Sequence, residues 1–178
     1  MKVFLNPGHA PNGDPDPGAC GFGLEEALVV KEVADLVEQY ITAAGVEVVG
    51  NFQCDDLYDI CDEANSSGAD IFVSIHCNAF NGIAEGTEVE VYDAYDDEDG
   101  SVTLANCILN QIVDSLDTVD RGVKSRPGLA VINGTDMTAV LVELAFIDQE
   151  DDAELLKNNL DDFARAVARG ITDYEAQL

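Results

Sequence analysis

Short apolar segments alternate with long amphipathic segments along the 178 residues of the chain. This alternation is typical of α/β proteins, in which helices pack against the faces of a central sheet. We therefore expect one α/β domain, residues 1–178, because no linker or internal repeat interrupts the pattern. The six predicted strands are Lys2–Leu5, Val46–Val49, Ile71–Ile75, Thr87–Tyr92, Leu129–Ile132 and Ala139–Leu144. The predicted helices are Glu25–Ala44, Asp55–Ser66, Ser101–Leu116 and Leu160–Ala176.

The chain carries a large surplus of acidic side chains, with 36 Asp and Glu against 8 Lys and Arg, and its formal net charge is −28. Hydrophobic residues make up 47% of the chain, which is enough to build a core, so the charge does not predict disorder. A negative field of this size repels polyphosphates, and we therefore expect no nucleic-acid partner. The surplus is expected to lie on a solvated surface.

The N-terminal segment Met1–Leu5 is followed directly by Asn6, Pro7 and Gly8. Its apolar stretch is shorter than the roughly 7–15 residues of a secretory signal peptide. No other segment is apolar over a length that could cross a bilayer. The sequence as given therefore predicts no membrane partner and no export signal.

The only two histidines, His9 and His76, each follow the C-terminal end of a predicted strand. Ligands of open α/β sheets bind at that edge of the sheet. Imidazole is the commonest metal ligand in proteins, and a hydrolytic zinc ion typically takes three protein ligands, such as two His and one Glu. One histidine at such a place is more often structural, but two at equivalent places predict a metal site.

A carboxylate ligand can come from Glu25 or Glu26, which open the first long helix after a loop rich in Pro and Gly that begins near His9. That loop can fold back and bring one of the two carboxylates to the metal. Acidic residues in the first turn of a helix also stabilise the helix dipole, so both glutamates have a purely structural explanation. The residues alone leave this choice open.

A further carboxylate, Glu143, interrupts the apolar segment Val140–Phe146. Burying an uncompensated carboxylate costs on the order of several kcal/mol of desolvation. We therefore expect a raised pKa for Glu143, which is what a general base and acid working near neutral pH requires.

In these segments the chain resembles the zinc-dependent N-acetylmuramoyl-L-alanine amidases, which hydrolyse the peptidoglycan of bacterial cell walls. The resemblance covers nearly the whole chain. The matching segments are, in chain order, Asn6–His9, Asp16–Ala19, Gly23–Glu26, Ala64–Asn65, Ala69–Ala79, Gly86–Val89, Leu141–Glu143 and Phe146–Ile147. The segment around His76 is the most specific of them.

The resemblance implies a three-layer α/β sandwich in which helices flank a mixed sheet of about six strands. It implies His9, Glu26 and His76 as ligands of Zn²⁺ and Glu143 as the catalytic carboxylate, with Glu25 as the alternative ligand to Glu26. The implied reaction is hydrolysis of the amide bond between N-acetylmuramic acid and L-alanine, with Glu143 moving a proton from water to the departing nitrogen. The implied place of action is the bacterial cell wall, for a phage-type lysin or a domain excised from a secreted protein.

Three of the eight cations, Arg121, Lys124 and Arg126, lie within six residues of one another. An ordinary exposed loop would explain them. A local site for the carboxylates of the peptidoglycan stem peptide would also explain them, because Arg binds carboxylates in a bidentate manner. We predict Arg121 and Lys124, together with Asn78, as substrate-binding residues.

Two other functions fit the same residues. One is a zinc carboxypeptidase acting on peptides, which would need a specific arginine pocket for the terminal carboxylate. The other is a non-catalytic cell-wall-binding module of the same fold, which would have no use for an acid at the position of Glu143.

Overall fold

The computed structural model describes all residues from Met1 to Leu178. The strands are β1 (Lys2–Pro7), β2 (Cys20–Gly21), β3 (Leu24–Glu25), β4 (Glu47–Asn51), β5 (Ile71–Asn78), β6 (Thr87–Val91), β7 (Asp120–Ser125) and β8 (Thr138–Phe146). The helices are α1 (Glu26–Ala43), α2 (Leu57–Ser67), α3 (Ser101–Leu116), α4 (Ala130–Asn133), α5 (Glu150–Asn158) and α6 (Leu160–Glu175). None of these helices is long and apolar enough to cross a membrane.

Six strands form one mixed sheet in the order β4-β1-β5-β8-β6-β7, while β2 and β3 form a separate small hairpin. Strands β4, β1, β5 and β8 are parallel to one another. Strand β6 pairs antiparallel with β8, and β7 runs parallel to β6. The last two strands of the sheet therefore run opposite to the other four, and the predicted mixed six-stranded sheet is confirmed.

Helices cover both faces of the sheet, which confirms the predicted three layers. On one face, α1, α3 and α6 enclose the larger core cluster of 33 buried residues. On the other face, the shorter helices α2 and α4 cover a cluster of 9 buried residues. There the rings of Phe4 and Phe72 stack with their centroids 5.9 Å apart.

The apolar pattern of α1 explains why this helix lies on the larger core. Its buried positions Val30, Val33 and Val37 recur at helical spacing, so one face of the helix is apolar along its length. The helix ends before Gly45, whose φ of +93° is a conformation that favours glycine. This placement carries the N-terminus of α1 to the edge of the sheet where β1 and β5 end.

The predicted strand Leu129–Ile132 is wrong, because these residues form the start and body of helix α4. A short apolar run is compatible with a buried strand or a buried helical turn, and here Val131 and Ile132 pack as a helix against the smaller core. The sixth strand is instead β7, whose sequence Asp-Arg-Gly-Val-Lys-Ser is polar because it forms an edge of the sheet. Helix α5 was not predicted, and the ends of the other predicted elements shift by at most three residues.

Candidate metal centre

The parallel strands β1 and β5 bring the two histidines to the same edge of the sheet. His9 lies two residues beyond β1, and His76 is the third residue from the end of β5. The Gly8 N–H donates a hydrogen bond of 3.0 Å to the Ile75 carbonyl, which continues the pairing of the strands up to this point. The two imidazole rings meet edge to face with their centroids 5.1 Å apart.

Glu26 joins the two histidines from the first turn of α1. Its Oε2 lies 3.0 Å from Nε2 of His9, and its Oε1 lies 3.0 Å from Nδ1 of His76. The backbone N–H groups of Ala19 and Cys77 donate to the same carboxylate at 2.8 and 2.9 Å. One potential ligand atom from each of His9, Glu26 and His76 lies within 4.8 Å of the others.

The structure distinguishes between the two glutamates that the residues alone left open. Glu26 is buried, with 3% of its surface exposed, and contacts both histidines. Glu25 is exposed as the last residue of β3, and Oε2 of its side chain lies near Gly13 instead. The carboxylate that could bind a metal together with the histidines is therefore that of Glu26.

Two glycines allow the backbone to approach these side chains closely. A Cβ atom on Gly8 would lie 2.2 Å from Cε1 of His76. A Cβ atom on Gly18 would lie 2.5 Å from Cδ2 of His9 and 2.6 Å from Oε2 of Glu26, and φ of Gly18 is +68°. Any other residue at either position would have to displace the potential ligands.

Asp16 orients His9, a role that its place in the sequence does not reveal. Its Oδ2 lies 2.8 Å from Nδ1 of His9, and its Oδ1 accepts a hydrogen bond from the Gly18 N–H at 3.0 Å. With Nδ1 held by Asp16, the other ring nitrogen of His9 faces Glu26. A carboxylate behind a histidine is the usual second partner of a metal-ligating imidazole.

The electrostatics of the cluster favour positive charge at its centre. The hydrogen bond to Glu26 raises the pKa of His9 to about 9 against the opposing effect of burial, with a further contribution from Asp16. Burial alone would raise the pKa of Glu26, but hydrogen bonds from His76 and His9 lower it to about 2. Without a metal, His9 is therefore protonated and lies between two carboxylates, Glu26 and Asp16.

Glu143 lies beside this cluster on β8. It is paired in register with His76 on β5 and with Glu88 on β6. Glu143 as a residue is half-buried. Its Oε2 atom, however, is fully buried and has no hydrogen-bond partner. Burial, together with the charges of Glu26 and Glu90, raises the pKa of Glu143 well above its ordinary value. The carboxyl group therefore holds its proton more tightly than an ordinary glutamate does, as its apolar flanking sequence predicts.

The predicted substrate-binding residues Asn78 and Arg121 meet at Glu88. Glu88 accepts hydrogen bonds from Nδ2 of Asn78 at 2.8 Å and from Nε of Arg121 at 2.9 Å. The guanidinium of Arg121 also lies 4.8 Å from the ring centroid of Phe146. Glu88 was not identified from the sequence, because an acid within a strand of alternating residue types resembles an outward-facing position.

The three cations predicted as a local cluster lie along the edge strand β7 and its end. Arg126 donates from Nε to Glu90 at 3.0 Å, while Lys124 makes no ion pair. The structure does not bring these cations into the group of His9, Glu26 and His76. They lie on the far side of β6 and β8 from His9.

The donor set fits a catalytic zinc ion. Two imidazole nitrogens and one carboxylate are the ligands that a hydrolytic zinc takes when it keeps one position for water. Because Gly8 and Gly18 have no side chains, the potential ligand atoms can face one another. His9 lies between the carboxylates of Glu26 and Asp16, so this position favours a cation. His9, Glu26 and His76 could therefore hold a divalent metal ion.

Comparison with known proteins agrees with this geometry. The family described as N-acetylmuramoyl-L-alanine amidase matches residues 3–173, and the chain belongs to this family. The crystal structure of N-acetylmuramoyl-L-alanine amidase from Clostridium difficile 630 superposes with a TM-score of 0.89 at 26% identity, covering 98% of this chain and 96% of that one.

Two relatives from Bacillus subtilis (strain 168) are similar along nearly the whole chain. The N-acetylmuramoyl-L-alanine amidase LytC is 36% identical over 177 residues, which covers 97% of this chain but 35% of that protein. The sporulation-specific N-acetylmuramoyl-L-alanine amidase is 34% identical over 175 residues, covering 96% of this chain and 65% of that protein. The chain thus spans between about a third and two thirds of the length of these two relatives.

Proposed function

We propose that the chain is a zinc-dependent peptidoglycan amidase, which hydrolyses the amide bond between N-acetylmuramic acid and L-alanine at the bacterial cell wall. The observation that carries the proposal is the position of Glu143, a carboxylate with a buried, unpartnered oxygen that is paired in register with His76, one of three potential metal ligands. Membership of the amidase family supports the same reaction.

In this proposal His9, Glu26 and His76 hold the zinc ion, and Asp16 keeps Nε2 of His9 directed at it. When bound, zinc would supply Lewis acidity, which polarises the scissile carbonyl and lowers the pKa of water.

Glu143 moves the proton in this reaction. The carboxylate of Glu143 accepts a proton from the attacking water, and the raised pKa allows the carboxyl group to retain it. The same group then delivers the proton to the departing alanine nitrogen. The amide C–N bond breaks, a C–O bond forms, and the products are a lactyl carboxylic acid and a free amine.

Asn78, Arg121 and Lys124 are proposed to contact the peptide half of the substrate. The Nε atom of Arg121 is already bound to Glu88, and Nη1 donates to the Glu85 carbonyl at 3.3 Å, so the free terminal nitrogen of this arginine is Nη2. That arrangement gives less support to a carboxypeptidase, which needs an arginine dedicated to the terminal carboxylate. A non-catalytic wall-binding module is less supported because it gains nothing from the desolvated Glu143.

The proposal is tested by digesting purified sacculi with the protein, with and without a chelator, and identifying the cleaved bond by mass spectrometry. We expect free lactyl ends and intact stem peptides, no release with the chelator, and recovery on adding zinc. Released single amino acids would instead support a carboxypeptidase.

The variant Glu143→Gln separates an enzyme from a binding module. It should bind one equivalent of zinc as the wild type does and lose hydrolysis by at least about 100-fold, the order of general acid–base catalysis. Glu63→Gln, which changes an exposed glutamate on α2, is the matched control and should keep full activity. Retained hydrolysis in Glu143→Gln would refute the role of Glu143.

A further inference from the structure

A cavity of about 280 Å³ opens beside the metal centre, between the sheet and the helices α2 and α4. His9 and His76 form one end of it. Much of the remaining lining is apolar and comes from α2, from α4 with the residue before it, and from β8: Leu57, Ile60, Leu129, Ala130, Val131 and Leu141. The volume is near the lower end for small-molecule sites, about 300 Å³, so the cavity has room for one substituent of a polymer.

Apart from the metal centre at one end, the charges that line this cavity are negative. Asp16 and Asp55 are the only acidic residues in its lining, and no lysine or arginine reaches it. Asp16 is occupied by His9 and Gly18, whereas Asp55 is exposed. Away from His9 and His76, a ligand carboxylate would be repelled by Asp55, whereas uncharged hydroxyl groups can donate hydrogen bonds to it. An apolar wall with a carboxylate at its mouth therefore suits an uncharged sugar better than an acidic peptide.

The position of Glu143 determines which half of the substrate lies on this side. A carboxylate that protonates the departing nitrogen must lie next to that nitrogen, so the peptide half leaves on the Glu143 side of the reacting carbon. Glu143 does not line the cavity, although Leu141 two residues earlier on β8 does. The substituent on the acyl side of the carbon is then directed away from Glu143, past His9 and His76 and into the cavity.

The geometry points to this cavity as the subsite for the muramoyl half of the substrate, an uncharged N-acetylated sugar with its lactyl arm. The stem peptide then lies on the opposite side, above β6 and β7, where Arg121 and Lys124 are located. This inference rests on the proposed amidase function, because it uses the proton transfer by Glu143.

The test locates two probes, one uncharged and one that carries an α-ammonium group, on the zinc-loaded, ¹⁵N-labelled protein by NMR titration. The probes are the amide of N-acetylmuramic acid, which represents the acyl half, and L-alanyl-D-isoglutamine amide, which represents the leaving half. We expect the muramic probe to shift backbone amide signals of Leu57 and Val131 in the cavity. We expect the dipeptide probe to shift signals of Asn78 and of Asp120–Ser125.

Variants then separate the two halves. Ala130→Phe adds a ring to the cavity wall and should weaken binding of the muramic probe at least tenfold while leaving the dipeptide unchanged. Leu57→Ala removes part of the same wall from a half-exposed position and should act in the same direction. Ala44→Phe adds the same ring at the other end of α1, about 27 Å from Glu26 along the helix, and should affect neither probe.

The inference is overturned if the dipeptide shifts the cavity signals, if the muramic probe shifts none of them, or if Ala130→Phe and Leu57→Ala weaken the two probes equally. Failure of the proposed function is seen separately. In that case the wild-type protein does not release L-alanyl-D-isoglutamine from the intact muramoyl dipeptide, wherever the probes bind.

Discussion

In the metal-free protein, we expect the free energy of unfolding of Glu143→Gln to rise relative to that of the wild type as the pH increases. Burial raises the pKa of Glu143 in the folded state well above the ordinary value of 4.5. Between these two pKa values, the folded protein keeps a proton that the unfolded chain has lost. Unfolding therefore releases a proton, and rising pH favours the unfolded state of the wild type. Glu143→Gln has no such proton to release.

The magnitude follows from linkage. Below about pH 4.5 the carboxyl group is protonated in both states, and a glutamine side chain at this position would resemble it in size and lack of charge. Above that pH, the free energy of unfolding of the wild type should fall relative to Glu143→Gln by about 1.4 kcal/mol per pH unit, until the folded pKa is reached. All other titrating groups are shared and largely cancel in the difference.

The assay is urea unfolding followed by circular dichroism at pH 4, 5, 6 and 7 on chelator-treated protein. The exposed control Glu63→Gln should differ from the wild type by an amount that does not change with pH. A constant difference between Glu143→Gln and the wild type, or a growing advantage of the wild type at higher pH, would refute the assignment of a raised pKa to Glu143.

Three further predictions concern the metal centre and use a chelating dye that competes for zinc. Asp16→Asn should weaken zinc binding by about 10–100-fold, since it removes the carboxylate that orients His9; unchanged affinity would mean that Asp16 has no orienting role. Zinc affinity should rise with pH by about tenfold per unit up to about pH 9, because zinc must displace a proton from His9, and a flat profile would contradict this. Gly18→Ala should weaken zinc binding at least tenfold more than Gly23→Ala, because both glycines have positive φ but only a Cβ on Gly18 meets ligand atoms; equal effects would point to backbone strain alone.

The sequence predicted the elements that are buried and periodic, and it failed where these signals are missing. Strand β7 is an edge strand with a polar sequence, so no apolar alternation marks it. The segment Ala130–Asn133 is a single helical turn, and its apolar residues are too few to distinguish a period of 3.6 from a period of 2. The count of six strands was therefore right although one predicted member was wrong.

The metal centre was predictable in part because histidine is so rare in this chain. His9 and His76 could be placed near each other from the ends of their strands alone. The choice between Glu25 and Glu26 needed the structure, because successive residues at the start of a helix differ by about 100° in direction. The roles of Asp16 and Glu88 also needed it, since each is defined by a side-chain contact that loop conformation or strand pairing creates and that no sequence spacing specifies.

The reversed direction of β6 has a consequence for how proteins of this fold can diverge. Strand β5 ends at Asn78 and β6 begins at Thr87 on the other side of β8, so the segment between them crosses the end of β8. Asp148, just after β8, fastens this crossing by accepting hydrogen bonds from the N–H groups of Phe80 and Gly82. The crossing segment contains none of the potential metal ligands. Insertions or deletions within it can therefore remodel the rim of the candidate metal centre while the sheet and the potential metal ligands stay in place.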